Sequence, residues 1–97
     1  MRVITLLEEA EDDLAEAAHY LEGRTPGLDQ IFCGDVGYAL ERMMENPYVG
    51  PEIEPGIRKL GLKRFPYNLV YRVLPDRIRV LAVLHHRRSP EHWRDRL

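Results

Sequence analysis

The sequence predicts an α+β domain of element order β-α-α-β-β-β, with a helical hairpin packed on one face of a small, mostly antiparallel sheet. Three observations carry that prediction. Apolar residues recur at helical spacing between residues 9 and 46, and they alternate with polar ones between 57 and 85. The links inside the second region, Pro66-Tyr67 and Pro75-Asp76, are so short that only antiparallel hairpins can close them. With 97 residues, 44% of them hydrophobic, the chain can bury one modest core, since a domain of this size hides roughly two thirds of its unfolded surface. Residues 1–97 are therefore expected to form a single domain.

Val3, Ile4, Leu6 and Leu7 make a short apolar run that feeds into acid at Glu8 and Glu9, as a first strand leading directly into a helix. Ala10, Leu14, Ala17, Ala18 and Leu21 then place a helix over 9 to 22, with Glu11, Asp12, Asp13 and Glu16 in its first turns, where the helix dipole favours acid. Gly23 ends it. Thr25 as N-cap and Pro26 at the first helical position open a second helix, whose stripe of Leu28, Ile31, Phe32, Val36, Ala39, Leu40 and Met43 runs to Asn46 before Pro47. Gly34 and Gly37 each cost this helix ~1 kcal/mol relative to Ala. Close packing against the first helix is the expected compensation.

Residues 47 to 56, with three prolines and two glycines, read as a loop. Three strands follow at 57 to 65, 68 to 74 and 77 to 85. Alternation assigns Leu60, Leu62, Leu69, Tyr71, Val73, Ile78, Val80, Ala82 and Leu84 to the buried face, and Lys59, Lys63, Arg72 and Arg79 to the opposite one. Ser89-Pro90 then caps a short C-terminal helical turn carrying His92 and Trp93.

A formal charge of -2 conceals a split: residues 1 to 55 hold 3 Lys/Arg against 13 Asp/Glu, a net of -10, and residues 56 to 97 hold 11 against 3, a net of +8. Such bipolarity points to an anionic or acidic partner for the second half, or to mutual neutralisation of the halves across the fold. No run approaches the ~18 apolar residues of a membrane helix, and an N-terminus that runs from an apolar patch into acid is unlike a secretory signal. The expected location is the cytoplasm, with no membrane contact. Cys33, the single cysteine, excludes an intramolecular disulfide and suits a reducing compartment.

Four groups of residues could carry chemistry. His85, His86, Arg87 and Arg88 combine imidazoles that exchange protons near neutrality with guanidiniums that grip phosphate, which suits phosphodiester cleavage; the same arginines equally suit the carboxylates of a protein partner. Lys59, Lys63, Arg72 and Arg79 suit an anionic surface. Metal binding by His85, His86 and His92 is disfavoured, because adjacent strand residues point to opposite faces and no carboxylate or Cys stands at ligand spacing. Trp93, Tyr67 and Tyr71 could stack on bases or close the core. No Gly-rich phosphate loop, Cys-x-x-Cys or nucleophile elbow is present, and no cofactor is expected.

The order and spacing of several pieces resemble the RelE/ParE superfamily of bacterial toxins from type II toxin-antitoxin modules. They are the EAEDDLAEAAHYLE helix, a second helix ending in an NP-x-x-G segment, Ile57-Arg58, the run from Tyr67 through Leu69-Val70-Tyr71-Arg72-Val73, and a final strand ending in His-x-Arg-Arg with a proline soon after. The resemblance implies the same β-α-α-β-β-β layout and neutralisation by a cognate antitoxin, with operator DNA bound only through that antitoxin and a role in plasmid stabilization. It also implies one of two targets. RelE-like members cleave mRNA in the ribosome, and ParE-like members inhibit DNA gyrase without being nucleases. At the places where RelE-like nucleases resemble one another in carrying basic residues, this chain has Lys59 and Arg88 but Gly61 and Asn68. Two of four are lost, and each such contact is typically worth ~3 kcal/mol in a transition state. The expected function is thus gyrase inhibition, with Lys59, Lys63, Arg72, Arg79, Arg87, Arg88 and Trp93 contacting the target. The alternatives are an endoribonuclease using Lys59, His85, His86 and Arg88, or an inactive toxin that binds only within an autorepressing complex.

Overall fold

In the computed structural model, described for residues 3–88 and 90–97 with the side chains of 90–92 left aside, the expected layout is present. The elements are β1 (Val3–Leu6), α1 (Glu8–Arg24), α2 (Leu28–Glu45), β2 (Glu52–Glu54), β3 (Ile57–Gly61), β4 (Tyr67–Val73), β5 (Arg77–His85) and a C-terminal 3-10 helix (Pro90–Arg96). The strands form one mixed sheet in the order β1-β5-β4-β3-β2, antiparallel except for the β1–β5 pair. Both helices lie on one face. Phe32, Val36, Ala39 and Met43 of α2 and Ala10 and Ala17 of α1 pack there against Leu60, Leu69, Tyr71, Ile78 and Val80, as their periodicities require.

Several local expectations give way to longer-range contacts. The 47–56 loop contains β2, a short edge strand against β3 with a register irregularity between Glu52 and Glu54, and β3 itself ends at Gly61. The second helix begins at Leu28, with Gly27 as N-cap at φ 93°, a conformation glycine tolerates. Thr25 instead follows the end of α1. Its capping role passes to Glu22, whose Oε1 accepts from the Gly27 and Asp29 amides at 2.8 and 3.2 Å and sets a carboxylate at the positive end of α2. Ser89 lies outside the described residues, and with it the expected cap of the C-terminal turn.

The glycines of α2 do not pack against α1. A Cβ added at Gly34 or Gly37 would meet nothing within 4 Å.

The decisive departure lies in β5. Val70 pairs with Ala82 and Tyr71 with Val80, so Leu81 is an extra residue and the alternation reverses beyond it. Ile78, Val80 and then Val83 face the helices. Ala82 and Leu84, expected there, face outward and form a second small core with Ile57, Val70, Leu81 and Trp93. The C-terminal helix covers that outer patch and buries Trp93 to 1% exposure.

Long-range hydrogen bonds hold the bulge and the tail together. The Asp13 carboxylate of α1 accepts from the Val83 amide at 3.0 Å and from both terminal nitrogens of Arg96 at 2.6 and 3.1 Å. Arg96 also donates to the Leu81 carbonyl at 3.0 Å. The Asp13 carboxylate raises the Arg96 guanidinium above its ordinary value by hydrogen bonding, against the opposing effect of burial.

Candidate functional site

The outer face of the sheet carries one row of polar groups running across three strands. Arg72 of β4 stands directly opposite Arg79 of β5, which in turn is the parallel partner of Thr5 in β1. Lys59 lies on the same face, opposite Val70. Among the described residues neither the two arginines nor Lys59 has an acidic partner; the Arg79 Nε and the Thr5 Oγ1 are both buried and unbonded. Two neighbouring cations are matched by acids. Arg77 pairs with Asp76 at 2.9 Å, which holds the Asp76 carboxyl below its usual range, and Arg94 pairs with Glu54 at 3.2 Å.

Four residues expected to contact the target are not part of this surface: Arg87 and Arg88, which line a cavity on the helix side, and Lys63 and Trp93. Lys63 lies in the turn after β3, on the helix side, with its Nζ 5.6 Å from the Tyr38 ring of α2. Trp93 is a core residue, because the bulge turns Ala82 and Leu84 outward and that apolar patch must be covered. Tyr67 and Tyr71 are likewise buried, so none of the three rings is available for stacking on bases.

His85 is separated from the basic row by the bulge. Unbroken alternation from Ile78 and Val80 would have set His85 on the face of Lys59 and Arg79. With Leu81 inserted, His85 follows Val83 onto the helix side. There it lines a cavity of about 450 Å3 between α1 and the end of β5, with Glu16, Tyr20, Tyr67, Arg87 and Arg88. Its ring sits edge-on to Tyr67 at 5.1 Å, and its Nδ1 accepts from the Arg87 amide at 3.1 Å, which leaves the proton of the neutral ring on Nε2.

Arg88 reaches Glu16 at 3.8 Å across exposed surface. Burial is the main reason that the Tyr67 hydroxyl is pushed above its ordinary value, reinforced by Tyr20 and opposed by Arg88. His86 stays in the exposed turn with its amide donating to the Pro66 carbonyl. Of the four residues of the nuclease alternative, His85 and Arg88 share this cavity and the His86 ring lies 6.4 Å from that of His85, whereas Lys59 stands apart on the outer face. No group of three or more possible metal ligands occurs among the described residues, and the His92 side chain lies outside them.

Sequence reasoning missed Thr5, Glu16 and Tyr20. Thr5 had left a signal, as the one polar residue inside an apolar run. The other two had none, because only the packing of α1 over β5 brings them to the cavity.

A second groove, of about 400 Å3, lies on α2. Ile31, Gly34, Asp35 and Tyr38 line it with Lys63 and Arg64 of the β3–β4 turn, which the buried Asp35 carboxylate fastens by accepting from the Arg64 amide at 2.8 Å. Along the same helix Ile31, Tyr38 and Met44 are exposed to 46%, 47% and 43%. This is an unusually apolar helix surface for a chain whose helices have a sheet to cover.

Residues 4–90 match the family model described as ParE toxin of type II toxin-antitoxin system, parDE. No curated protein sequence matches. Among solved structures, the chromosomal ParDE TA system from P. aeruginosa superposes with a TM-score of 0.77 at 21% identity, over 88% of this chain and 96% of that one. The toxin-antitoxin complex RelBE2 from Mycobacterium tuberculosis superposes with a TM-score of 0.59 at 23% identity, over 87% and 96%. At these identities the two structures establish a shared fold.

Proposed function

This chain belongs to the ParE toxin family of type II toxin-antitoxin systems, and from that premise we propose that it acts by binding DNA gyrase through its outer sheet face and is held inactive by a cognate antitoxin. The observation that carries this reading is the position of His85. A nuclease of the kind considered above needs its acid-base group beside its phosphate-gripping cations. Here Lys59, Arg72 and Arg79 lie on one face and His85 on the other, where it has only Arg87 and Arg88 beside it and where Gly61 and Asn68 supply no further cation. A basic surface without such a group suits binding to a protein target.

The direct test is supercoiling of relaxed plasmid by gyrase at rising toxin concentration, run beside mRNA cutting on translating ribosomes. Supercoiling should be lost and the mRNA left intact. Arg72→Gln or Arg79→Gln should weaken inhibition about tenfold each, the effect of losing one charge-assisted contact worth ~1.5 kcal/mol. Normal supercoiling together with cut mRNA would reverse the assignment.

For the antitoxin, the α2 surface is the proposed seat, because Gly34 and Gly37 open the helix backbone beside the exposed Ile31, Tyr38 and Met44. Gly34→Ala and Gly37→Ala should therefore each stabilise the free toxin by ~0.5–1 kcal/mol, having only helix propensity to change, yet weaken the complex. A thermal melt of the toxin and a titration of the antitoxin measure the two effects separately. Tighter or unchanged antitoxin binding would move the seat elsewhere.

A further inference from the structure

We infer that Thr5, Arg79 and Arg72 form a site for a single carboxylate, presented by an acidic segment of a partner protein lying across the outer face. The inference rests on the reading of that face as the target-binding surface and names the chemistry it recognises. Like charges directly opposite one another on paired strands are destabilising. Arg72 and Arg79 are such a pair, and no acid among the described residues relieves them. The Arg79 Nε–H and the Thr5 hydroxyl add an unmade donor and an unmade donor-acceptor in the same row, both buried. A native sheet leaves such groups unpaired rarely.

One carboxylate answers these conditions once the partly exposed Arg79 side chain turns to bring its covered Nε–H and the neighbouring Thr5 hydroxyl to it. Opposed residues on neighbouring strands are about 5 Å apart, so two guanidiniums can converge on one group, and each offers a planar fork of N–H donors matched to two carboxylate oxygens. A polyanion fits less well. Nucleic acid needs a continuous track of cations, whereas Arg77 and Arg94 beside this row are already tied to Asp76 and Glu54. Binding of single strands further relies on exposed aromatic rings, and Trp93, the ring packed on this face, is buried.

The Arg Nε–Hε resonances of the 15N-labelled full chain supply the test, titrated in parallel with acetylated and amidated hexaglutamate, with inorganic phosphate and with a dT12 oligonucleotide. Hexaglutamate is expected to shift the Nε–Hε signals of Arg72 and Arg79. Its affinity should fall at least tenfold in Arg72→Lys and in Arg79→Lys, which keep the charge and lose the fork. Arg72→Gln should bind as weakly while its thermal midpoint is no lower than that of the parent, since it removes a repulsion. If Arg79→Lys misfolds, the two Arg72 variants decide the matter.

Lysine variants that bind like the parent would overturn the site, because the attraction would then be non-directional. So would silent arginine signals, or a stronger response to dT12 or phosphate than to the peptide. The titration contains no gyrase, so a failed supercoiling assay counts against the proposed function alone and a failed titration against the carboxylate site alone.

Discussion

Gly50→Ala is expected to lower the stability of the chain by about 2–3 kcal/mol, the range of a forced overpacking in a filled interior. An added Cβ would stand 2.6 Å from the Lys59 carbonyl oxygen and 2.9 Å from the Tyr71 hydroxyl. Neither can yield easily. The Lys59 carbonyl belongs to β3, and the Tyr71 hydroxyl is held between two backbone groups, accepting from the Gly50 amide at 3.0 Å and donating to the Pro47 carbonyl at 2.8 Å. Arg58 closes the same turn by donating to the Gly50 carbonyl at 2.9 Å while lying over the Tyr48 ring.

Tyr71→Phe should cost a similar ~2–3 kcal/mol for a different reason, since it leaves the buried Gly50 amide and the Pro47 carbonyl without their partner. The hydroxyl also predicts a pH dependence. Burial, partly opposed by the Gly50 hydrogen bond, raises the Tyr71 pKa above its ordinary 10.0. The folded state therefore binds more protons than the unfolded one above that value, so stability is unaffected below pH 10 and declines as pH rises beyond it. Urea midpoints of the parent and the Tyr71→Phe variant between pH 7 and 11 measure both effects. An alkaline decline of equal size in the variant would place its cause elsewhere, with Tyr67 the first candidate because its pKa is raised as well.

Asp13→Ala is expected to cost about 2–4 kcal/mol. The Asp13 and Arg96 side chains are each 17% exposed, so breaking their pair falls somewhat short of the ~3–5 kcal/mol typical of full burial, while the Val83 amide loses its acceptor at the same time. The consequence should be local before it is global. Arg96 anchors the C-terminal helix to α1 and to the Leu81 bulge, so its release should expose Trp93. Arg96→Ala should then shift Trp93 fluorescence toward that of a solvated indole and speed hydrogen exchange around Leu81, with Asp13→Ala adding faster exchange at Val83. Unchanged emission in both variants would show that Trp93 is held by its apolar contacts alone.

Local sequence signals determined most of the architecture. The Ala10–Leu21 and Leu28–Met43 periodicities fix two amphipathic helices, and the alternation from Leu60 to Val80 fixes which side of the sheet meets them, because each pattern places a whole face at once. The charge split and the basic character of Lys59, Arg72 and Arg79 were legible for the same reason. What failed depended on partners distant in the chain. The capping of α2 by Glu22 could not be told from Thr25 and Pro26, since both choices satisfy the same helix terminus. The open surroundings of Gly34 and Gly37 depend on how the helices cross, which no spacing within one helix specifies.

By itself, then, the sequence determined the order of elements, the helix-facing residues up to Val80, and a sheet surface rich in basic residues. The tertiary structure decided where that surface ends and what it contains. A strand alternates with a period of two, so one inserted residue moves every later side chain to the other face. Leu81 is that residue. It sends His85 to the helix side, turns Ala82 and Leu84 outward, and thereby requires Trp93 to cover them. What remains exposed beside Thr5 is a pair of arginines without acid-base company.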